Sequence, residues 1–352
     1  MHSDLDIVRQ IAKSLEDELS KHPFLIVNES ELQAYLQQSL LEAFPEMPNL
    51  TLHEDVIDRR LGSDKRCRRV YREAKIKPGR SAEPDIVVLR NAPQVILGKG
   101  NGAPSRFLTP YSLIIETKMD ASPNDVLAGK SGNLINQLTL RNDLGKWHVP
   151  SEAQDVISVV YTAQPQKYED CSNTVVIKRT LPKNRAKAAT VEATHNACQA
   201  YKEVETALFE EFRREPFKFL REKDFETYLF VKMRTAVDVN PSELHPVHTQ
   251  WWSAWKNLLG RKRRHDLVVL APNREDLALE VELKTSHSDQ HNWFRKQQLH
   301  GECDAMHRLV EHGKLNRAVF LMYRFGAPKW EPDAEEVCNR FPNVSLDYRC
   351  SD

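Results

Sequence analysis

One arrangement of residues occurs twice in this chain and restricts what it can fold into. Asp85 opens the apolar run Ile86-Val87-Val88-Leu89, and a second apolar run, Leu113-Ile114-Ile115, closes on Glu116-Thr117-Lys118. Farther on, Asp266 opens Leu267-Val268-Val269-Leu270, and Leu277-Ala278-Leu279 leads into Glu280-Val281-Glu282-Leu283-Lys284. Such short apolar runs read as strands, and side chains two apart on a strand share a face. Glu116 therefore projects with Lys118, and Glu280 and Glu282 with Lys284. Unpaired charge at the heart of a sheet is costly to desolvate, so these residues require a partner. The plainer alternative is a pair of solvent-edge strands with incidental charges.

The surroundings repeat as well. A helix from about Ser30 sets Leu32, Tyr35, Leu36 and Leu40 on one face, and Phe225, Tyr228, Leu229 and Met233 hold the same relative positions later in the chain. In the first half, strands are expected at Leu50–Val56, Asp85–Leu89, Ser112–Lys118 and Val156–Tyr161, with a helix over Leu134–Asn142 before the last. In the second, they fall at Pro246–Trp251, Asp266–Leu270, Leu277–Lys284 and Arg317–Tyr323, with a helix over Phe294–Glu311. Both halves read helix, strand, strand, strand, helix, strand. The spacing is loose, 31 positions from Asp85 to Glu116 but 16 from Asp266 to Glu282, which loop insertions accommodate.

A chain of 352 residues exceeds the usual single core. The fold class expected is α/β, with two domains at 1–165 and 196–352, each a mixed central sheet flanked by helices. The polar stretch 166–195 is read as the linker region, even though it contains Val175-Val176-Ile177.

Two carboxylates on adjacent strands suit a hard divalent cation such as magnesium, which keeps several waters and takes phosphate oxygens as further ligands. Such a cation lowers the pKa of a bound water, and a neighbouring lysine stabilises developing negative charge. The chemistry implied is phosphodiester hydrolysis. At these residues the chain resembles the PD-(D/E)XK nuclease superfamily, the restriction-endonuclease-like fold. Pro84-Asp85 with Glu116-Thr117-Lys118 matches the signature in full, whereas in the second copy His265 replaces the proline before Asp266. The resemblance implies one catalytic set of Asp85, Glu116 and Lys118 and another of Asp266, Glu282 and Lys284. The metal ligands would be Asp85, Glu116, Asp266 and Glu282, joined by an acid of the first core helix: Glu31 in the first copy, Asp224 or Glu226 in the second. It also implies a glutamine on the following helix, Gln137 or Gln298. Magnesium is the expected cofactor, with manganese able to substitute, and DNA the expected partner. The biological setting it suggests is restriction or anti-phage defence. Repair, mobile-element processing and a catalytically inactive DNA-binding protein are the rivals.

Charge supports the nucleic-acid reading locally but not globally. The chain holds 50 Lys and Arg against 50 Asp and Glu. Yet between Arg59 and Arg80 ten basic residues, among them Arg66, Arg68, Arg69 and Arg72, face only two acids, and Arg261-Lys262-Arg263-Arg264 directly precedes Asp266. Both clusters are expected to meet phosphate backbone, a solvated charged face being the alternative. Of Trp251, Trp252 and Trp255, one is available to stack on bases if two are core. The Gly98–Gly102 run lacks a phosphate-loop ending and reads as a loop. His287 and His291 have helical ligand spacing, but zinc is not expected without a third ligand. The cysteines are scattered, with no Cys-x-x-Cys pair, and are expected to be reduced. No apolar stretch approaches the length of a membrane span and the first residues are acidic, so a cytoplasmic location is expected. If only one site works, the chain nicks, or forms a homodimer to break both strands; the first copy, with the fuller signature, is favoured.

Overall fold

Ile86–Leu89 and Leu267–Leu270 are apolar at every position, a composition that requires cover on both faces of a strand. In the computed structural model each lies inside a five-stranded mixed sheet. Residues 4–46, 50–52, 67–73, 84–90, 95–98, 106–107, 111–133, 135–146, 153–168, 173–252, 255–259, 263–287, 296–325, 336 and 339–351 are described.

The first half begins with helices α1 (Asp4–Lys21) and α2 (Glu29–Ala43), followed by strands β1 (Leu50–Leu52), β2 (Val70–Arg72), β3 (Ile86–Leu89), β4 (Val95–Gly98), β5 (Arg106–Phe107) and β6 (Tyr111–Met119). Helices α3 (Pro123–Leu127) and α4 (Gln137–Lys146) then lead to β7 (Ala153–Thr162) and β8 (Thr174–Lys178). The second half runs α5 (Val191–Arg214), α6 (Glu222–Thr235), β9 (Val247–Trp252), α7 (Lys256–Leu259), β10 (Arg264–Leu270), β11 (Leu277–His287), α8 (Lys296–Glu311), β12 (Ala318–Phe325) and β13 (Val344–Cys350). The sheet orders are β2-β3-β6-β7-β8 and β9-β10-β11-β12-β13. In both, the first two pairings are antiparallel and the last two parallel. The chain is thus an α/β protein of two similar units, as expected.

The duplication extends to register. Ile86 pairs with Ile115 and Leu267 with Val281, so one step back along each ladder sets Asp85 against Glu116 and Asp266 against Glu282. Irregularities fall at matching places, Val88/Leu89 and Val269/Leu270. Glu73, directly after β2, and Gln250, inside β9, hold matching register positions, and both take a left-handed backbone, with φ of 48° and 52°.

Helices cover the sheets with the faces their periodicity predicts. Leu15 and Leu19 of α1 and Leu32, Leu36 and Leu40 of α2 pack on Ile86, Val88, Leu113 and Ile115. Leu208 and Phe212 of α5 and Phe225, Leu229 and Met233 of α6 pack on Leu267, Val269, Val281 and Leu283. Cys303, Met306 and Leu309 of α8 close the opposite face over Val268 and Phe320. Each such side chain contributes about 1.5–3 kcal/mol on burial.

Two expectations are corrected. Leu50–Val56 does not supply the first core strand: Leu50–Leu52 pairs with β4 in a small separate sheet, 53–56 lie outside the described residues, and Val70–Arg72 takes the edge beside β3. The apolar run Val175-Val176-Ile177 is not linker but belongs to β8, the parallel edge of the first sheet, where Val175 and Ile177 enter the core.

The two units touch reciprocally through their first core helices. α2 lies against β9 of the second sheet and α6 against β2 of the first. Tyr35 and Phe230 meet edge to face at 5.8 Å, Gln37 Nε2 donates to Asp224 at 2.9 Å, and Asn28 Nδ2 to Thr249 O at 3.0 Å. Among the described residues no helix is long and apolar enough to cross a membrane.

Candidate active sites

Each site is assembled where the start of a core helix meets two central strands of its sheet. Asn28 caps α2, its side chain accepting from Glu31 N at 3.0 Å, and Glu29 is the first helical residue. Acids suit this place because the helix dipole is positive there. In the second unit Glu222 is the first residue of α6.

In the first site Lys118 Nζ lies 3.9 Å from Glu116, 3.7 Å from Asp143 of α4 and 4.0 Å from Glu29. In the second, Lys284 Nζ lies 2.9 Å from Glu282, 3.3 Å from Asp266 and 3.6 Å from Glu222. The opening aspartate is held by the same device in both copies. Asp85 accepts from Thr117 N at 2.6 Å and Asp266 from Leu283 N at 3.0 Å, in each case the backbone of the residue between Glu and Lys. Asp85 also takes the Thr117 hydroxyl at 2.8 Å, and Asp266 the Gln250 amide at 3.1 Å. The structure thus brings together Asp85, Glu116 and Lys118, and likewise Asp266, Glu282 and Lys284.

The helix acids are corrected. Glu31 points away from Lys118: fully buried, it accepts from Val27 N at 2.9 Å and lies 2.7 Å from His248 Nδ1 of the second unit. Asp224 does the corresponding work in α6, accepting from Leu220 N and Arg221 N at 3.1 and 2.9 Å. Glu226 is also buried, accepting from Lys223 at 2.5 Å, from Gln250 at 2.9 Å and from the Thr249 hydroxyl. The acids that reach the lysines are Glu29 and Glu222. A signal for them was present: they stand 193 positions apart, the same offset that aligns Tyr35 with Tyr228 and Leu36 with Leu229. Asp143 of α4 is the other residue not anticipated.

Electrostatics follow from several carboxylates around one ammonium in a half-buried setting. Burial pushes Glu29 up to about 7, against the pull of Lys118, and Glu222 up to about 7 against Lys284. Burial and the neighbouring Asp266 raise Glu282 well above the ordinary carboxyl range. Burial alone would also raise Asp266, but Lys284, Lys223 and the Leu283 N–H outweigh it and hold that carboxyl low. Both lysines gain more from the surrounding acids than burial takes away, so each is held firmly charged.

Among the described residues no three His, Cys, Asp or Glu side chains form a ready-made metal cage. The carboxylates converge on a lysine instead. Their donors are nonetheless all hard oxygens, the set magnesium takes, and magnesium binds through one or two carboxylates while keeping its waters rather than filling an all-protein cage. In the first site the donor set fits such an ion.

The basic clusters depart most from expectation. Arg68 is buried over the Phe219 ring at 4.3 Å, and Arg69 over Phe44 at 4.6 Å while donating to Leu89 O at 3.0 Å. Arg72 is fully buried and donates to Gln33 at 2.7 Å and Thr227 at 2.9 Å. Arg263, also buried, bonds Glu280 at 2.7 Å and Glu282 at 3.2 Å. These four are interior struts and present no face to phosphate. Arg264 alone of the described cluster residues is exposed, paired across the ladder with Trp252, itself 56% exposed, with the guanidinium 5.9 Å from its ring. Trp251 packs on His248 and Trp255 edge-on to His265. Arg66, Arg261, Lys262 and the side chains of Gln137 and Gln298 lie outside the described residues.

Comparisons with protein-family models, with curated proteins and with solved structures return no match.

Proposed function

We propose that this chain is a metal-dependent endonuclease of the PD-(D/E)XK, restriction-endonuclease-like kind, hydrolysing DNA phosphodiester bonds with magnesium, or manganese in its place. The observation that carries the reading is the twofold occurrence of one geometry: an aspartate bonded to the backbone between Glu and Lys, with the lysine among carboxylates from two strands and a helix. A structural ion pair does not need that backbone link, whereas a site that must hold two carboxylates on one face does.

In this reading Asp85 and Glu116, with Glu29, would hold the cation in the first copy, and Asp266, Glu282 and Glu222 are the corresponding residues of the second. A divalent cation, when bound, supplies Lewis-acid polarisation of the phosphoryl group and a water of lowered pKa. Lys118, kept charged by the acids around it, orients the attacking water and stabilises negative charge as it develops on phosphate. DNA as substrate is supported by the exposed Arg264 and Trp252, a cation beside a stacking surface at the end of the β9–β10 pair, two residues along β10 from Asp266. Restriction or anti-phage defence is the setting we favour by analogy of fold, which is a weaker warrant than the site.

The test is incubation of the purified chain with plasmid and linear DNA, and with RNA in parallel, in magnesium, manganese or EDTA. Wild type is compared with Lys118→Ala, Lys284→Ala and the double variant. Cleavage that requires metal and disappears in the double variant is expected. Metal-dependent cleavage that survives the double substitution would sink the assignment, and no cleavage by wild type under any condition would favour an inactive DNA-binding protein.

A further inference from the structure

We infer that the two sites have divided their roles: the first binds the divalent cation, and the second is closed to one because the Arg263 guanidinium already sits on its metal-facing glutamate. This inference rests on the nuclease reading and specifies which copy acts.

Arg263 immediately precedes β10 and is buried against three carboxylates: 2.7 Å from Glu280, 3.2 Å from Glu282 and 3.1 Å from Glu302. It meets Glu282 at Oε2, while Lys284 takes Oε1 at 2.9 Å, so each oxygen of that carboxylate faces a cationic side chain. A guanidinium does not give up its proton at accessible pH, unlike a lysine, so its charge cannot be dismissed to admit an ion. A divalent cation beside Glu282 would sit within a few ångströms of fixed positive charge in a poorly screened interior.

The arrangement is anchored by residues peculiar to this copy. Glu280, fully buried, holds Arg263 on one side and lies 2.8 Å from His265 Nδ1 on the other. Because the two ladders share a register, the equivalent positions of the first copy can be read directly. His265 corresponds to Pro84 and Glu280 to Ile114, and by sequence alone Arg263 aligns with Ala82, which lies outside the described residues. None of these three can supply or hold a guanidinium. Gln250, whose amide supports Asp266, corresponds to Glu73, which has the same left-handed backbone conformation. Relative to the first copy, the second therefore carries an arginine, a histidine and a glutamate where Ala82, Pro84 and Ile114 stand, and an amide where Glu73 stands.

The experiment counts Mn²⁺ bound per full-length chain, by titration calorimetry and by electron paramagnetic resonance of the free ion. Wild type is expected to bind one. Asp85→Asn should abolish that binding and Asp266→Asn should leave it, both variants keeping an acceptor oxygen for the backbone N–H they hold. Arg263→Met combined with Glu280→Gln, which removes a charge pair together, should raise the count to two. Two ions in wild type, or one ion lost with Asp266→Asn and retained with Asp85→Asn, would overturn the division of roles while leaving the nuclease reading intact. A count that stays at one in the folded Arg263/Glu280 double variant would overturn the part given to Arg263. No Mn²⁺ bound by wild type would overturn both.

Discussion

Glu29 and Glu31 stand two residues apart on one helix and are assigned opposite duties, which isosteric substitution separates. Glu31 accepts from Val27 N and from His248, fully buried between the two units, and its negative charge faces Arg234. In Glu31→Gln the amide keeps one acceptor oxygen but turns an NH₂ toward the other donor, and the charge is lost. A buried donor left unsatisfied costs about 1–3 kcal/mol, and breaking a buried charged pair about 3–5 kcal/mol. A loss of about 2–4 kcal/mol is expected, a shift readily resolved in urea. The Glu29 side chain is 40% exposed, so Glu29→Gln should stay within about 0.5 kcal/mol. Urea unfolding followed by tryptophan fluorescence and circular dichroism gives the stabilities, with DNA cleavage measured on the same preparations. Glu31→Gln should lower the unfolding midpoint yet keep cleavage per folded molecule, and Glu29→Gln should keep the midpoint and lose cleavage. A Glu31→Gln protein as stable as wild type but unable to cut would refute the assignment.

Arg72→Met should destabilise by about 2–4 kcal/mol, since Gln33 and Thr227 from different units lose their shared buried donor; urea unfolding by two spectroscopic probes measures this and should still give one coincident transition. Arg264→Ala is expected to weaken DNA binding and reduce the salt slope by about 1, whereas Trp252→Ala should cost about 1–3 kcal/mol of affinity with little change in slope, both read by fluorescence anisotropy over a salt series. Burial holds His245 and His248 below the ordinary histidine value of 6.5, so the unfolded chain takes up protons first and stability falls as pH drops through and below 6.5. Glu31, held below 4.5, adds a further loss at lower pH; unfolding midpoints measured from about pH 8 to 4 should follow this order, with the upper step diminished in His248→Gln.

The central strands and both Asp, Glu and Lys sets were legible because continuous apolar runs flanked by charge have few alternatives to a covered sheet. What escaped was short or mixed. Val70-Tyr71-Arg72 is too brief for a period of two to stand out and sits in a basic run, and Val175–Ile177 is surrounded by polar residues. The arginines misled for a physical reason: composition records a guanidinium but not the aromatic face or carboxylate that allows it to be buried, as Phe219, Phe44 and Glu280 do for Arg68, Arg69 and Arg263. Glu29 and Glu31 are both acids in the first turn of α2, which leaves the choice between them open in the sequence. Only the alignment of the two helices through their tyrosines, or the coordinates, shows which one faces the lysine.

The reciprocal seating of each core helix against the other unit's edge strand has a consequence for how such a molecule can vary. A pair of sites built from two identical chains must carry every substitution twice, and it separates on dilution. Here the second partner is always present at the effective concentration set by its own linker. Each copy is coded independently, so one can accept an arginine that would spoil the other without the pair losing its frame.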